Sequence, residues 1–298
     1  MRVTSNILVR DQVSALQTTA SALAQAQARL TTGKKISTAS EDPVGSRDVM
    51  ATDGRLRAIT QYRRGLESAK QRLAVQDSVM NQVSSIMTRA QELTVAANTA
   101  TVDATARAAI AAEVQGLFEE VVALGNTMVE GEYLFGGHQS TVRPFEKTGG
   151  GTTVSYTTTG AAGERALEVD AGRTVVPTDD GATLFLDSGV LDSLRDLAAE
   201  LSGPPTSATA LPDIGRDLTT AFNRVQERVG SLGARANTLD LVAANLDAFE
   251  GSLQVFRSSV MDVDVEQAAV DLIQRQNAYQ SALLASSKVL ALNLADYL

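Results

Sequence analysis

Residues 59–90 read ITQYRRGLESAKQRLAVQDSVMNQVSSIMTRA. Within them Ile59, Leu66, Leu73, Met80 and Met87 recur every seven residues, and Tyr62, Ala69, Gln76, Val83 and Ala90 occupy the alternate seam position. A sustained seven-residue apolar repeat marks a long helix lying along another helix. The start is written just upstream. Asp42 can accept from the free N–H groups of a first turn, and Pro43 follows it where a missing N–H costs nothing. Continued to Ala97, the repeat predicts a helix about 80 Å long at 1.5 Å per residue.

The same period occurs on both sides. Val9, Leu16, Leu23 and Leu30 are seven apart, with Val13 and Ala20 alternating, and Gly33 is a suitable left-handed stop for that first helix. Asp103 can cap a third helix carrying Ile110, Val114, Leu117, Val121, Leu124 and Met128, expected to stop near Gly131. From Pro212-Asp213 the heptads resume as Leu218, Val225, Leu232, Leu239, Leu246, Leu253 and Val260, accompanied by Phe249 and Phe256 and interrupted by Arg228 and Arg235. Asp264, with Gln267 three residues on, resembles a capping box that opens a final helix. That helix carries Leu283, Leu290 and Tyr297 on one row and Leu272 and Tyr279 on the next.

The period changes in the middle. Gly136-Gly137, Pro144 and Gly149-Gly150-Gly151 are turn chemistry, and Thr152–Thr158, Leu167–Asp170, Thr174–Val176 and Thr183–Leu186 have strand composition. A short helix is expected from Val190 to Leu201. The fold class is therefore mainly α: an elongated antiparallel helical bundle built from N- and C-terminal segments, with a small β-rich domain inserted in the middle. The expected partition is a terminal coiled-coil domain (1–40 and 262–298), a helical rod domain (41–137 and 188–261) and the insertion (138–187).

Composition narrows the function. The chain has 298 residues, 44% of them hydrophobic, so a core can form; aromatics are 4% and tryptophan is absent, which suits slender helices packed through Ala, Leu and Val. With no cysteine and a single histidine, His138, there is no thiol nucleophile, no zinc–thiolate site and no histidine pair. The net charge of −9 argues against a general nucleic-acid or anionic-membrane binder. The charge is uneven. Of 26 Lys/Arg and 35 Asp/Glu, residues 1–72 hold 12 and 6, leaving 14 and 29 for the rest. A basic end of this kind can pack against acidic surface of the same or a neighbouring chain.

No catalytic, cofactor or metal site is expected. Gly33-Lys34 lacks the glycine and hydroxyl partners of a phosphate loop, and Asp262, Asp264 and Glu266 lack the glycine and final glutamate of a calcium loop. Glu119-Glu120 and Asp179-Asp180 read as solvated carboxylates. The informative feature is the two ends. A lone pair of amphipathic helices buries too little surface to be secure, so residues 1–33 and 264–298 are expected to need partners. The candidate assembly face is Val9, Val13, Leu16, Leu23, Leu30, Leu272, Tyr279, Leu283, Leu290 and Tyr297.

Arg29-Leu30-Thr-Thr-Gly33, running into Glu41-Asp42-Pro43-Val-Gly45, resembles the signature of the bacterial flagellin superfamily. Gln91–Ala97 is similar to that family's segment near the end of the long helix. Tyr133-Leu134-Phe135-Gly136-Gly137, the later Pro144-Phe145 and the ending Asp296-Tyr297-Leu298 resemble the members that join hook to filament, with Ala295 standing where those usually carry Phe. The resemblance implies a structural protein that is not an enzyme and has no cofactor. It implies export through the flagellar type III apparatus without a cleaved signal peptide, aided by an export chaperone, to an extracellular place on the flagellum. There the terminal helices would fold against copies of the same chain, between hook-associated protein 1 and flagellin. The alternatives are a filament flagellin and, less in keeping with the insertion, a coiled-coil signalling rod.

Overall fold

The computed structural model describes residues 2–99, 103–148, 153–156, 166–170, 172–203, 207 and 209–295. It is a helical bundle with a small β insertion. Six α-helices account for most of it: α1 (Arg2–Thr32), α2 (Pro43–Ala97), α3 (Ala104–Gly125), α4 (Val190–Ser202), α5 (Ala210–Met261) and α6 (Val265–Ala295). Three antiparallel two-stranded pairs lie between α3 and α4: β1 (Met128–Val129) with β2 (Glu132–Tyr133), β3 (Phe145–Thr148) with β4 (Thr153–Tyr156), and β5 (Leu167–Asp170) with β6 (Arg173–Val175).

The helix starts follow the expected chemistry. Asp42 Oδ1 accepts from Gly45 N at 2.9 Å, Asp103 Oδ1 from Ala106 N at 2.7 Å, and Asp264 Oδ1 from both Glu266 N and Gln267 N. Each carboxylate meets N–H groups that have no partner inside the helix. At the end of α1, Gly33 adopts φ +67°, a conformation that side chains disfavour, and its N–H reaches back to Arg29 O.

The chain divides into two compact units, residues 1–58 with 248–298, and residues 59–247. The central unit holds α3, α4, the strands and the middle stretches of α2 and α5. There Arg63–Asp247, Lys70–Asp240 and Ser84–Gln226 pair across the two long helices, numbers rising along α2 as they fall along α5, so the helices run antiparallel. The a-type row Leu66, Leu73, Met80 and Met87 is buried, as are Leu218, Val225, Leu232 and Leu239 opposite. The terminal unit pairs α1 with α6, where the Ser286 hydroxyl bonds Gln12 Oε1 at 3.0 Å.

Three local expectations need correction. The third helix stops at Gly125, not near Gly131; Glu130 (φ 54°) and Gly131 (φ 84°) instead form the tight turn between β1 and β2, and Met128 is exposed. Thr183–Leu186 is not a strand but part of a π-helical turn, Ala182–Leu186, in which the adjacent Leu184 and Phe185 are both fully buried. Phe249 and Phe256 stand off the buried row of Leu246 and Leu253 and face outward. Gly149–Gly151, Thr152, Thr157 and Thr158 lie outside the described residues.

Candidate assembly interface

Among the described residues, the twelve largest side chains that are fully buried, Phe118, Phe135 and Met80 among them, all belong to the central unit. The terminal unit contrasts with it. Its buried apolar side chains are Ala26, Ile36, Val49, Leu253 and Ala268 among the described residues. Leu16, Leu23, Leu30, Leu272 and Tyr279 are only half-buried between α1 and α6, and Val13 (51%) and Leu283 (42%) are exposed. Val9 lies within α1 and Leu290 within α6; Tyr297 lies outside the described residues.

A further set of apolar residues opens to solvent. Ile7 on α1, and Val270, Ile273 and Leu284 on α6, are each more than half exposed. Sequence reading passed over them because it followed the seam that pairs α1 with α6. The signal was present as a second row, since Val270 and Leu284 are two heptads apart. Each helix of the pair thus has apolar surface in use and apolar surface free, which a further helix can cover.

The two helices spring from one clasp. Lys35 N donates to Met261 O at 2.7 Å and Val263 N donates to Gly33 O at 2.9 Å, a short antiparallel bridge centred on Lys34 and Asp262. The segment into α2 is tied as well. Glu41 Oε2 accepts from the Ser37 N–H at 2.8 Å and from its hydroxyl at 3.2 Å. The Ser37 N–H, opposed in part by desolvation, holds the Glu41 carboxyl below its ordinary value, with the Ser37 hydroxyl, the Thr38 N–H and the Arg29 charge adding to the effect. Asp42 is half-buried, Pro43 opens α2, and Gly45 has no room for a side chain, because a Cβ would meet Asp42 Oδ2 at 2.6 Å and the Ile36 side chain at 2.7 Å.

The second motif lies wholly in the central unit. Phe135 and Phe145 each make an edge-to-face contact with Phe185, at centroid distances of 5.1 and 5.3 Å. Pro144 and Gly136 are buried beside them, and Tyr133, half-buried on β2, bonds through its backbone N–H to Ser140 O at 2.7 Å. Asn126 fastens β3 to the end of α3: its side-chain amide donates to Phe145 O and its Oδ1 accepts from Phe145 N. Phe135, Gly136, Pro144 and Phe145 therefore belong to the packed core of the central unit.

One pair of carboxylates differs from expectation. Asp180 Oδ1 accepts from Thr183 N and so starts the π-helical turn. Asp179 is buried and paired with Arg235, with Nη2 2.7 Å from Oδ1. Among the described residues, no group of three or more His, Cys, Asp or Glu is placed to hold a metal, and no helix is long and apolar enough to cross a membrane.

Sequence and fold are both similar to those of known flagellar proteins. Residues 3–140 match the family described as the bacterial flagellin N-terminal helical region. The flagellar hook-associated protein 3 of Escherichia coli is 26% identical over 291 residues, spanning 89% of this chain and 90% of the relative. The fold is that of FlgL from Xanthomonas campestris (TM-score 0.61, 20% identity, 70% of this chain and 99% of that one). It is equally that of the flagellar junction protein FlgL from Legionella pneumophila (TM-score 0.59, 13% identity, 72% and 99%).

Proposed function

We propose that this chain, a flagellin-like protein of the hook-associated kind, is the structural adaptor that joins hook to filament in the bacterial flagellum. One observation carries the mechanism: the central unit holds the large buried side chains, whereas the α1–α6 pair leaves apolar rows open. Each buried leucine contributes roughly 1.5–3 kcal/mol. Ordering the terminal helices costs conformational entropy that a lone pair offsets poorly. Neighbouring copies, stacking Ile7, Val13, Ile273 and Leu284 against one another's helices, supply the missing burial. Folding of the ends and assembly then become one event.

In this reading residues 1–40 and 262–298 form the assembly domain, residues 41–137 and 188–261 the rod, and residues 138–187 the inserted domain. Ring-forming copies of the chain meet hook-associated protein 1 on one side and flagellin on the other. Export through the type III apparatus, without a cleaved signal peptide and with a chaperone on the C-terminal helix, places the chain outside the cell. The absence of cysteine suits passage as an unfolded strand.

Deletion of the gene tests the proposal. Electron microscopy is expected to show intact hooks without filaments, with flagellin lost to the medium. Loss of the major flagellin band itself would identify the chain as the filament subunit instead. Normal filaments would overturn the adaptor reading.

A further inference from the structure

In the central unit Gln76 breaks the seam of α2, and Arg228 and Arg235 break that of α5; the fold brings Gln76 and Arg235 to Asp179. Gln76 is fully buried and its Nε2 donates to Asp179 O at 3.4 Å. The Asp179 side chain is 3% exposed and the Arg235 side chain 24%. The layers on either side, Leu73 and Met80 on α2 and Leu232 and Leu239 on α5, are apolar and buried. The cluster is incompletely satisfied: Gln76 Oε1, Asp179 Oδ2 and Arg235 Nη1 are buried without a hydrogen-bond partner. Such a layer is a poor source of stability, because desolvating the charges consumes most of what their pairing returns.

We propose that this layer is a register pin, which selects the native alignment of α2 against α5 over a one-heptad slide in one direction and docks the segment ahead of the π-helical turn onto that alignment. The need for a pin follows from the sequence. Both stripes repeat every seven residues, so a slide of one heptad, about 10 Å, again sets apolar rows against apolar rows. The exposed ion pairs do not prevent it. In the native alignment Arg63 meets Asp247 and Lys70 meets Asp240. These four residues are themselves one heptad apart, so sliding one way gives Arg63 to Asp240 and sliding the other gives Lys70 to Asp247.

The buried layer is not degenerate for one of the two slides. One slide carries Gln76 from Arg235 to the level of Val242. The other brings Arg228 into the place of Arg235 and drives Arg235 to the level of the buried Ala69. The first slide leaves Gln76 among apolar groups and Asp179 without its arginine, whereas the second exchanges Arg235 for Arg228, which the native alignment sets at the level of the buried Val83; the layer thus selects against the first slide, as a single buried polar layer selects among coiled-coil registers. Asp179 belongs to neither helix, so the same contact fixes where the inserted segment rejoins the bundle.

The chain has no cysteine, which allows a direct test in the full-length protein. Lys70→Cys with Asp240→Cys reports the native alignment; Lys70→Cys with Asp247→Cys and Arg63→Cys with Asp240→Cys report the two slides. In the otherwise native background only the first pair is expected to form a disulfide on mild oxidation. In the background Gln76→Leu/Asp179→Ala/Arg235→Leu, the Lys70→Cys with Asp247→Cys pair, which reports the first slide, is expected as well, while the melting midpoint stays at or above the native one. Arg235→Leu alone, which leaves the carboxylate unpaired, is expected to lower the midpoint. Absence of that slid disulfide in the apolar background would overturn the proposal. Should that background fail to fold, Asp179→Asn/Arg235→Met decides in its place: the same slid disulfide supports the pin and its absence overturns it.

Discussion

Gly125 is bare because the Phe145 ring occupies the space of its side chain: a Cβ there would stand 2.7 Å from the ring carbons Cδ2 and Cε2. The last residue of α3 and the first of β3 thus pack against each other, and the Asn126 side chain bonds the backbone N–H and C=O of the same phenylalanine. Gly125→Ala is expected to destabilise the central unit by about 1–3 kcal/mol, the range for overpacking a filled core. Denaturant unfolding followed by circular dichroism measures it. An unchanged midpoint would mean that the ring moves aside freely.

Leu16 and Leu23 lie half-buried between α1 and α6. Replacing both with Asp is expected to abolish self-association and junction assembly while the central unit melts as before. Sedimentation and filament counts on complemented cells provide the check. Normal filaments from the double variant would remove the terminal helices from the proposed interface.

Asp264 caps α6 through two backbone N–H groups. Asp264→Ala is expected to cost about 1 kcal/mol and to speed amide exchange over the first turn of α6, at Glu266 and Gln267. Exchange confined to other parts of the helix would contradict this account of the helix start.

Acid acts at the connector through Glu41. Its folded carboxyl titrates below the ordinary glutamate value, chiefly because the ionised form accepts the Ser37 N–H. A depressed folded value means that the contribution is present above the unfolded value and is lost as pH falls through the folded one. Protection of the Ser37 amide is therefore expected to decline only below the normal glutamate range. Glu41→Gln is expected to weaken that protection at neutral pH and to remove its pH dependence.

The helical part of the fold was open to reading because its physics is local and periodic. Asp42, Asp103 and Asp264 announce helix starts, Gly33 announces a stop, and the seven-residue stripes pick out the buried rows around Leu73 and Leu232. The misread parts depend on contacts distant in sequence. Thr183–Leu186 has the composition of a strand, yet Leu184 and Phe185 are both buried, and the Phe185 ring meets those of Phe135 and Phe145. Asp179 looked solvated, and Gln76 and Arg235 looked like imperfections of a stripe, because each makes sense only in the presence of the other two. On the terminal helices the rows that pair α1 with α6 stood out, and the outward row through Val270 and Leu284 did not. A single heptad template follows one seam at a time.

The bridge between Gly33 and Val263 has a consequence in time. Its two strands are separated along the chain by everything from α2 to α5, so closing it means closing a very long loop. That loss of freedom is small only after the intervening helices have collapsed and carried the two connectors together. Contacts of such high sequence separation form late and slowly. The clasp is therefore expected to close last during folding, and α1 and α6 to find each other only on a chain whose middle is already complete. A molecule stalled partway keeps its two ends apart.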